Sequence, residues 1–317
     1  CAQCSKSASC SRDQCQLRQS YAEGSSWSAV EGRDLFLVGF NHPSEISVGT
    51  QGYDESKLDK EFGIHFTFGC QNHLTGLFIK QLADGIMGMG VSDAILPVQM
   101  KKQGILEHSI FSMCFARNAR HEKDGITAGI LTLGGVNPVL QKSPMVYAKM
   151  GENGTGWYNL STKKILLRKG GGTSAKEPLL DRKKNLFLVS DDIHLLNAGS
   201  GLIVDSGTTD TYLPSSINSA FKSAYKQITG TEYSNSPVQL THEQVLALPT
   251  ILIVVEPFDP DADDMDPETT VGLAGKTISP SSPKDIVIAI PASHYMEYVP
   301  SSNTYVPRVY LSERSGG

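Results

Sequence analysis

The sequence predicts a mostly β protein built as two lobes. Short β-branched or aromatic runs recur along its 317 residues, separated by Gly, Pro, Asn and Ser clusters, while helical patterns are few and short. With 39% hydrophobic residues the chain can fill two good-sized cores. Between two strand-rich halves the composition shifts to glycines and polar residues in "KMGENGTGWYNL", residues 149–160. The lobe boundary is therefore drawn there, giving 1–155 and 156–317.

The predicted strands follow in order. "DLFLVGF" starts at Asp34, "GIHFTFGC" at Gly63 and "ILTLGGV" at Ile130 in the first half; "NLFLVSDDIHLL" at Asn185, "GLIVDSG" at Gly201, "TILIVV" at Thr250 and "DIVIAI" at Asp285 fall in the second. The best helix spans Ser216 to Thr229. There Ile217, Ala220, Phe221, Ala224, Tyr225 and Ile228 recur at spacings of three and four, the stripe that faces a core. Ser215 and Ser216, directly after Pro214, are placed to cap its start. A smaller helix is expected from Ala94 to Lys102.

Composition excludes several function classes. A net charge of −5 gives no general pull toward nucleic acid, and the basic cluster Arg182-Lys183-Lys184 is short and has no interleaved aromatics. No run approaches the roughly 18 apolar residues of a membrane span. "EPFDPDADDMDPE" (256–268) lacks the glycine and terminal acid of a calcium loop and reads as a solvated insertion. "AGKT" at 274–277 has Thr270 where a phosphate loop needs its first Gly, and "GMG" at 88–90 has Asp93 where a dinucleotide fingerprint needs its third. No G-x-S-x-G occurs, and the eight histidines show no metal-ligand spacing. Neither a metal nor a cofactor is expected.

Four of the six cysteines, Cys1, Cys4, Cys10 and Cys15, crowd into fifteen residues, with Cys70 and Cys114 apart. A zinc knuckle would want a histidine in the cluster, so disulfides and an oxidising compartment are expected, with the pairing open. The sequons at Asn153 and Asn159 agree with a secretory route.

The chemistry is concentrated in "GLIVDSGTTDTYLP", residues 201–214. An apolar strand runs into Asp205, and Ser206-Gly207-Thr208-Thr209 turn the chain. A carboxylate buried beside such a strand needs hydrogen bonds to satisfy it. Gly207 allows backbone N–H groups to approach, and the Ser206, Thr208 and Thr209 hydroxyls can donate or brace.

This string resembles the active-site loop of pepsin-like aspartic proteases, which carry an Asp-Thr/Ser-Gly-Thr/Ser motif in each lobe. Other stretches fit the family in order. "QSYAEGSSWSAV" (19–30) is similar to the flap hairpin, with Tyr21 as the flap tyrosine and Gly24-Ser25 as its tip. "ADGIMGMG" (83–90) is similar to the Asp-Gly-Ile stretch, so that Asp84, Gly85, Ile86, Met87 and Gly88 support the first active-site loop. "GWYNLSTKKILL" (156–167) is similar to the crossing into the second lobe. The cysteine-rich start and "FGC" at 68–70 are most similar to plasmepsin V-like members, although Ala22 stands where those carry a cysteine after the flap tyrosine; "FGC" and "FSMCF" at 111–115 are also similar to nepenthesin-like members.

The resemblance implies a bilobal pepsin-like acid protease fold with an incomplete first lobe. It also implies an aspartic endopeptidase that acts on peptide or protein substrates through water activated by an Asp dyad. Asp205 would be the second aspartate of that dyad; Tyr21, Gly24, Ser25, Gly207, Thr208 and Thr209 would line the substrate, and Ser206 would support the loop. No second such motif occurs in residues 1–317. The chain starts inside the cysteine cluster and ends on Gly316-Gly317, so an internal piece of a longer, monomeric secretory-pathway protein is expected, inactive alone, with room for a membrane anchor elsewhere. The alternative is a catalytically silent inhibitor or binding protein of the same fold.

Overall fold

The computed structural model describes residues 4–5, 8–21, 24–38, 63–81, 83–115, 129–140, 145–152, 154–170, 185–258, 274–276 and 285–311. Cys1, Ala22, Asn153, the basic cluster 182–184 and the acidic residues 259–268 lie outside them. Strands dominate, as the sequence predicts. The chain divides into two compact units, Cys1–Leu140 with Ser315–Gly317, and Gln141–Arg314. The division falls ahead of the boundary drawn from composition, because Ala148 bridges to Pro257 and Met150 to Leu160 within the second unit.

In the first unit β1 (Ser9–Ser11), β2 (Gln14–Ser20), β3 (Ser26–Leu37) and β4 (Gly63–Leu74) form an antiparallel sheet in chain order. Cys4 and Cys15 form a disulfide, and Cys10 is also disulfide-bonded. Helix α1 (Leu96–Lys102), starting two residues later than predicted, buries Leu96 and Met100 against Ile64. The hairpin of β5 (Phe111–Phe115) and β6 (Gly129–Leu133) completes the unit's strands among the described residues.

The second unit is built on a five-stranded antiparallel sheet. β7 (Asn159–Leu160) precedes β8 (Thr162–Arg168), β9 (Leu186–Ser190), the one-turn helix α2 (Ile193–Leu196), β10 (Leu202–Ile203) and β11 (Thr211–Tyr212). Helices α3 (Asn218–Thr229) and α4 (His242–Ala247) lead to β12 (Thr250–Val255), β13 (Ala274–Lys276) and β14 (Ile286–Ile290). A last helical turn, α5 (Ala292–Tyr295), is followed by β15 (Met296–Val299), β16 (Thr304–Pro307) and β17 (Val309–Tyr310). The sheet order is β13-β14-β12-β8-β9.

Strand periodicity explains why β12 is buried throughout. Ile251, Ile253 and Val255 point into one core with Phe221, Tyr225 and Leu167, while Leu252 and Val254 point to the other face with Val287 and Ala289. The α3 stripe faces the larger core as its spacing requires, with Ile217, Phe221, Ala224 and Tyr225 buried.

Two local expectations are corrected. Ser215 and Ser216 do not cap α3; they form a 3-10 turn, Ser215–Ile217, that leads into it without a side-chain cap bond. The run "NLFLVSDDIHLL" is not one strand. It stops at Ser190 because the Asp192 carboxylate accepts a bond from the Leu195 N–H, a helix cap that starts α2.

Candidate active site

The Asp205 loop is framed by paired strands on both sides. Before it, β10 pairs antiparallel with β7, and the Val204 N–H donates to the Tyr158 carbonyl at 2.8 Å. After it, β11 pairs in parallel with β17. The Thr211 N–H donates to the Arg308 carbonyl at 2.9 Å, and the Leu213 N–H to that of Tyr310 at 2.8 Å. The Tyr212 and Tyr310 rings stack 5.4 Å apart across that pair. The intervening residues turn between two fixed ends.

Within the turn, the Gly207 N–H donates to Asp205 Oδ1 at 2.8 Å and the Thr208 hydroxyl to Oδ2 at 2.5 Å. Both carboxylate oxygens are thus engaged from within the motif. A Cβ at residue 207 would stand 3.2 Å from Oδ1, so glycine permits this close approach. The Ser206 and Thr209 hydroxyls make no bond to the carboxylate among the described residues, which leaves Thr208 as the bracing hydroxyl. One premise of the sequence reading is corrected: Asp205 is exposed, as is Val204, so the two bonds orient a solvent-facing carboxylate instead of compensating a buried one.

Beyond the turn, Asp210 has a side chain only 16% exposed, and its buried Oδ1 accepts no hydrogen bond among the described residues. Arg308 Nη1 lies 3.8 Å from that oxygen. The guanidinium also donates through Nε, at 2.5 Å, and through Nη2 to Glu297, a more exposed carboxylate, and this bonding raises the Arg308 pKa above its ordinary value. The Arg308 N–H donates to the Tyr295 carbonyl at 2.7 Å. Neither Asp210 nor Arg308 was singled out from sequence; an acid directly after the hydroxyl cluster was the available signal.

In the first unit, β2 and β3 form the expected hairpin. The Tyr21 N–H donates to the Ser25 carbonyl at 2.9 Å and the Gly24 N–H to the Tyr21 carbonyl at 3.0 Å, with Gly24 at φ +94°. Tyr21 is fixed by the Trp27 indole N–H, which donates to its hydroxyl at 3.2 Å, and by an edge-on contact with Phe78 at 5.3 Å. Gly24 is exposed at the turn. Ser25, expected near the substrate, is buried, and its hydroxyl accepts from the Leu77 N–H at 2.9 Å. That hydroxyl belongs to the base of the hairpin.

Asp84, Gly85, Ile86, Met87 and Gly88 run in irregular, exposed backbone, with Ile86 50% and Met87 45% exposed. The packing expected beneath them is absent among the described residues. Asn159 is buried in β7 and donates its amide to the Ser200 carbonyl at 3.2 Å, so a glycan at that sequon does not fit the fold. Among the described residues no cluster of His, Cys, Asp or Glu could hold a metal, and no helix is long and apolar enough to cross a membrane.

Residues 1–135 match the family described as xylanase inhibitor N-terminal. Over 163 residues, half of this chain, the sequence is 29% identical to Aspartyl protease family protein 1 of Arabidopsis thaliana, covering 29% of that protein. Over 223 residues, 67% of this chain, it is 26% identical to Candidapepsin-2 of Candida parapsilosis, covering 44% of it. The matches span less than half the length of either relative, one named as an aspartyl protease family protein and the other as a candidapepsin.

Proposed function

We propose that the protein is an aspartic-type endopeptidase of pepsin-like kind and that Asp205 is one carboxylate of its catalytic pair. The observation that carries this is the exposed Asp205 carboxylate, held at both oxygens by Gly207 and Thr208. Two neighbouring carboxylates cannot both ionise, so such a pair shares one proton; the ionised member activates water while the protonated one polarises the peptide carbonyl. The pair titrates as a unit. Its other member would come from an Asp-Thr/Ser-Gly-Thr/Ser string outside residues 1–317, next to which Asp84–Gly88 would find their packing partner. Tyr21 and the turn at Gly24 would cover a bound peptide and exclude water. A peptide or protein substrate follows, and the Cys4–Cys15 disulfide fits a secreted or vacuolar setting.

A second reading draws on the match of residues 1–135 to an inhibitor domain: a binding protein of the same fold, to which Asp205 is dispensable. Activity on an unstructured peptide separates the two. The full-length protein is expected to cleave it under acidic conditions, to be blocked by a statine-type inhibitor, and to lose at least about a thousandfold in kcat on Asp205→Ala, as removal of a catalytic group does. Cleavage that survives Asp205→Ala overturns the assignment; a folded full-length protein without cleavage favours the inhibitor.

A further inference from the structure

Resting on the reading of Asp205 as a catalytic carboxylate, we infer that Arg308 is a positioning residue for it, acting through Asp210. The connection is short and built of named contacts. Gly207 and Thr208 orient the Asp205 carboxylate, and Asp210 lies two residues beyond Thr208. The Asp210 side chain is largely buried, with Arg308 as the cation 3.8 Å from its unbonded oxygen. Arg308 is itself held by its N–H on Tyr295, its carbonyl under the Thr211 N–H, and its guanidinium on Glu297 and Tyr310.

The consequence follows from the cost of buried charge. With Arg308 present, the Asp210 carboxylate can stay inside the loop exit, because an opposite charge offsets part of its lost hydration. Without that cation, a buried carboxylate with an unbonded oxygen is driven toward water. The Asp210 side chain is 16% exposed, and its shift toward water pulls on the loop, whose three preceding residues include the Gly207 N–H and the Thr208 hydroxyl that hold Asp205. The ion pair therefore fixes the direction of the Asp205 carboxylate without touching substrate. Glu297 plays a different part: being exposed, it steadies the guanidinium and is replaceable by water.

The test uses the full-length protein with Arg308→Gln, Asp210→Asn, the double variant, Arg308→Lys and, as a control, Glu297→Gln. Arg308→Gln is expected to lower kcat about tenfold with KM within about twofold, the pattern of misplaced catalytic groups. The double variant is expected to lose no more than Arg308→Gln alone, since both break one interaction. Arg308→Lys should regain at least about half of the lost kcat, and Glu297→Gln should keep it within about twofold. Hydrogen exchange gives a readout independent of catalysis. Amides of 205–211 should exchange about tenfold faster in Arg308→Gln, with those of α3 unchanged. Unchanged exchange in 205–211, or faster exchange spread evenly through the unit, overturns the inference whether or not the protein cleaves peptides. A wild-type protein without cleavage fails the endopeptidase reading alone, and the exchange measurement still decides the coupling.

Discussion

The two units handle burial differently. In the second, a core running through Leu167, Phe221, Ile251, Ile253 and Val255 underlies the sheet, and the Asp205 loop leaves it between strand pairs. In the first, the buried cluster is Ile64, Leu96 and Met100, and Ile79, Phe115 and Ile130 remain exposed among the described residues. The candidate carboxylate thus stands on a heavily packed base, while the candidate flap depends on its own hairpin and on the neighbouring Thr75–Phe78 segment. On the proposed reading, rigid placement suits a group whose direction decides chemistry, while a hairpin that admits a peptide needs less.

The largest expected effect lies in the second unit's tyrosines. Burial raises the pKa of Tyr225, Tyr233 and Tyr295, and the last two donate their hydroxyls to the carbonyls of Val309 and Pro249, both at 2.7 Å. Below about pH 10 the phenols are neutral in folded and unfolded chains alike, and their contribution is fully present. Above it the unfolded chain releases protons that the fold must keep, so stability falls as pH rises toward the raised native values. Alkaline titration should show tyrosinate absorbance from these residues appearing together with loss of the second unit's near-UV circular dichroism. Smooth ionisation with the fold retained would contradict their burial.

A matched pair of substitutions sharpens the contrast. Ile251 and Ile64 are each 1% exposed, one in each unit. Ile251→Ala is expected to cost about 4–5 kcal/mol, near the upper end for such truncations, because two packed faces of β12 and its neighbours cannot collapse into the cavity. Ile64→Ala is expected to cost about 2–3 kcal/mol, because its smaller cluster can relax. Amide exchange of β12 and of β4 reads the two separately. Equal costs would show that core size does not set the difference.

These contrasts also explain what was legible in the sequence. Strand identity, the α3 stripe and the Asp205 turn were readable because each depends on residues a few positions apart: Gly207 and Thr208 find Asp205 within three. Asp210 with Arg308, and Ser25 with Leu77, were not, since partners 98 and 52 positions apart leave no local period. Exposure of Asp205 was misjudged for a related reason. Three apolar residues before it suggested burial, yet β10 ends at Ile203 and Val204 already faces solvent.

The smallest expected effect concerns the hairpin base. Ser25 is buried, and its hydroxyl accepts the Leu77 N–H, while Ser26 and Thr75 exchange further bonds beside it: the Ser26 N–H donates to Thr75 Oγ1 at 2.8 Å and the Thr75 N–H to the Ser26 carbonyl at 2.9 Å. Gly76, at φ +63°, passes so close that a Cβ there would stand 2.5 Å from Ser25 Oγ. Ser25→Ala removes one bond from this set and leaves room unfilled, so it should cost about 1 kcal/mol, the net worth of a neutral hydrogen bond. Gly76→Ala should cost more, since it adds both a clash and an unfavourable backbone angle. If the proposed activity holds and Ser25 instead serves substrate directly, its alanine variant will raise KM in the full-length protein while leaving amide exchange at Tyr21 and Leu77 unchanged. If it serves the hairpin, exchange at those two amides will rise, as it will in Gly76→Ala, whose added Cβ displaces the Ser25 hydroxyl.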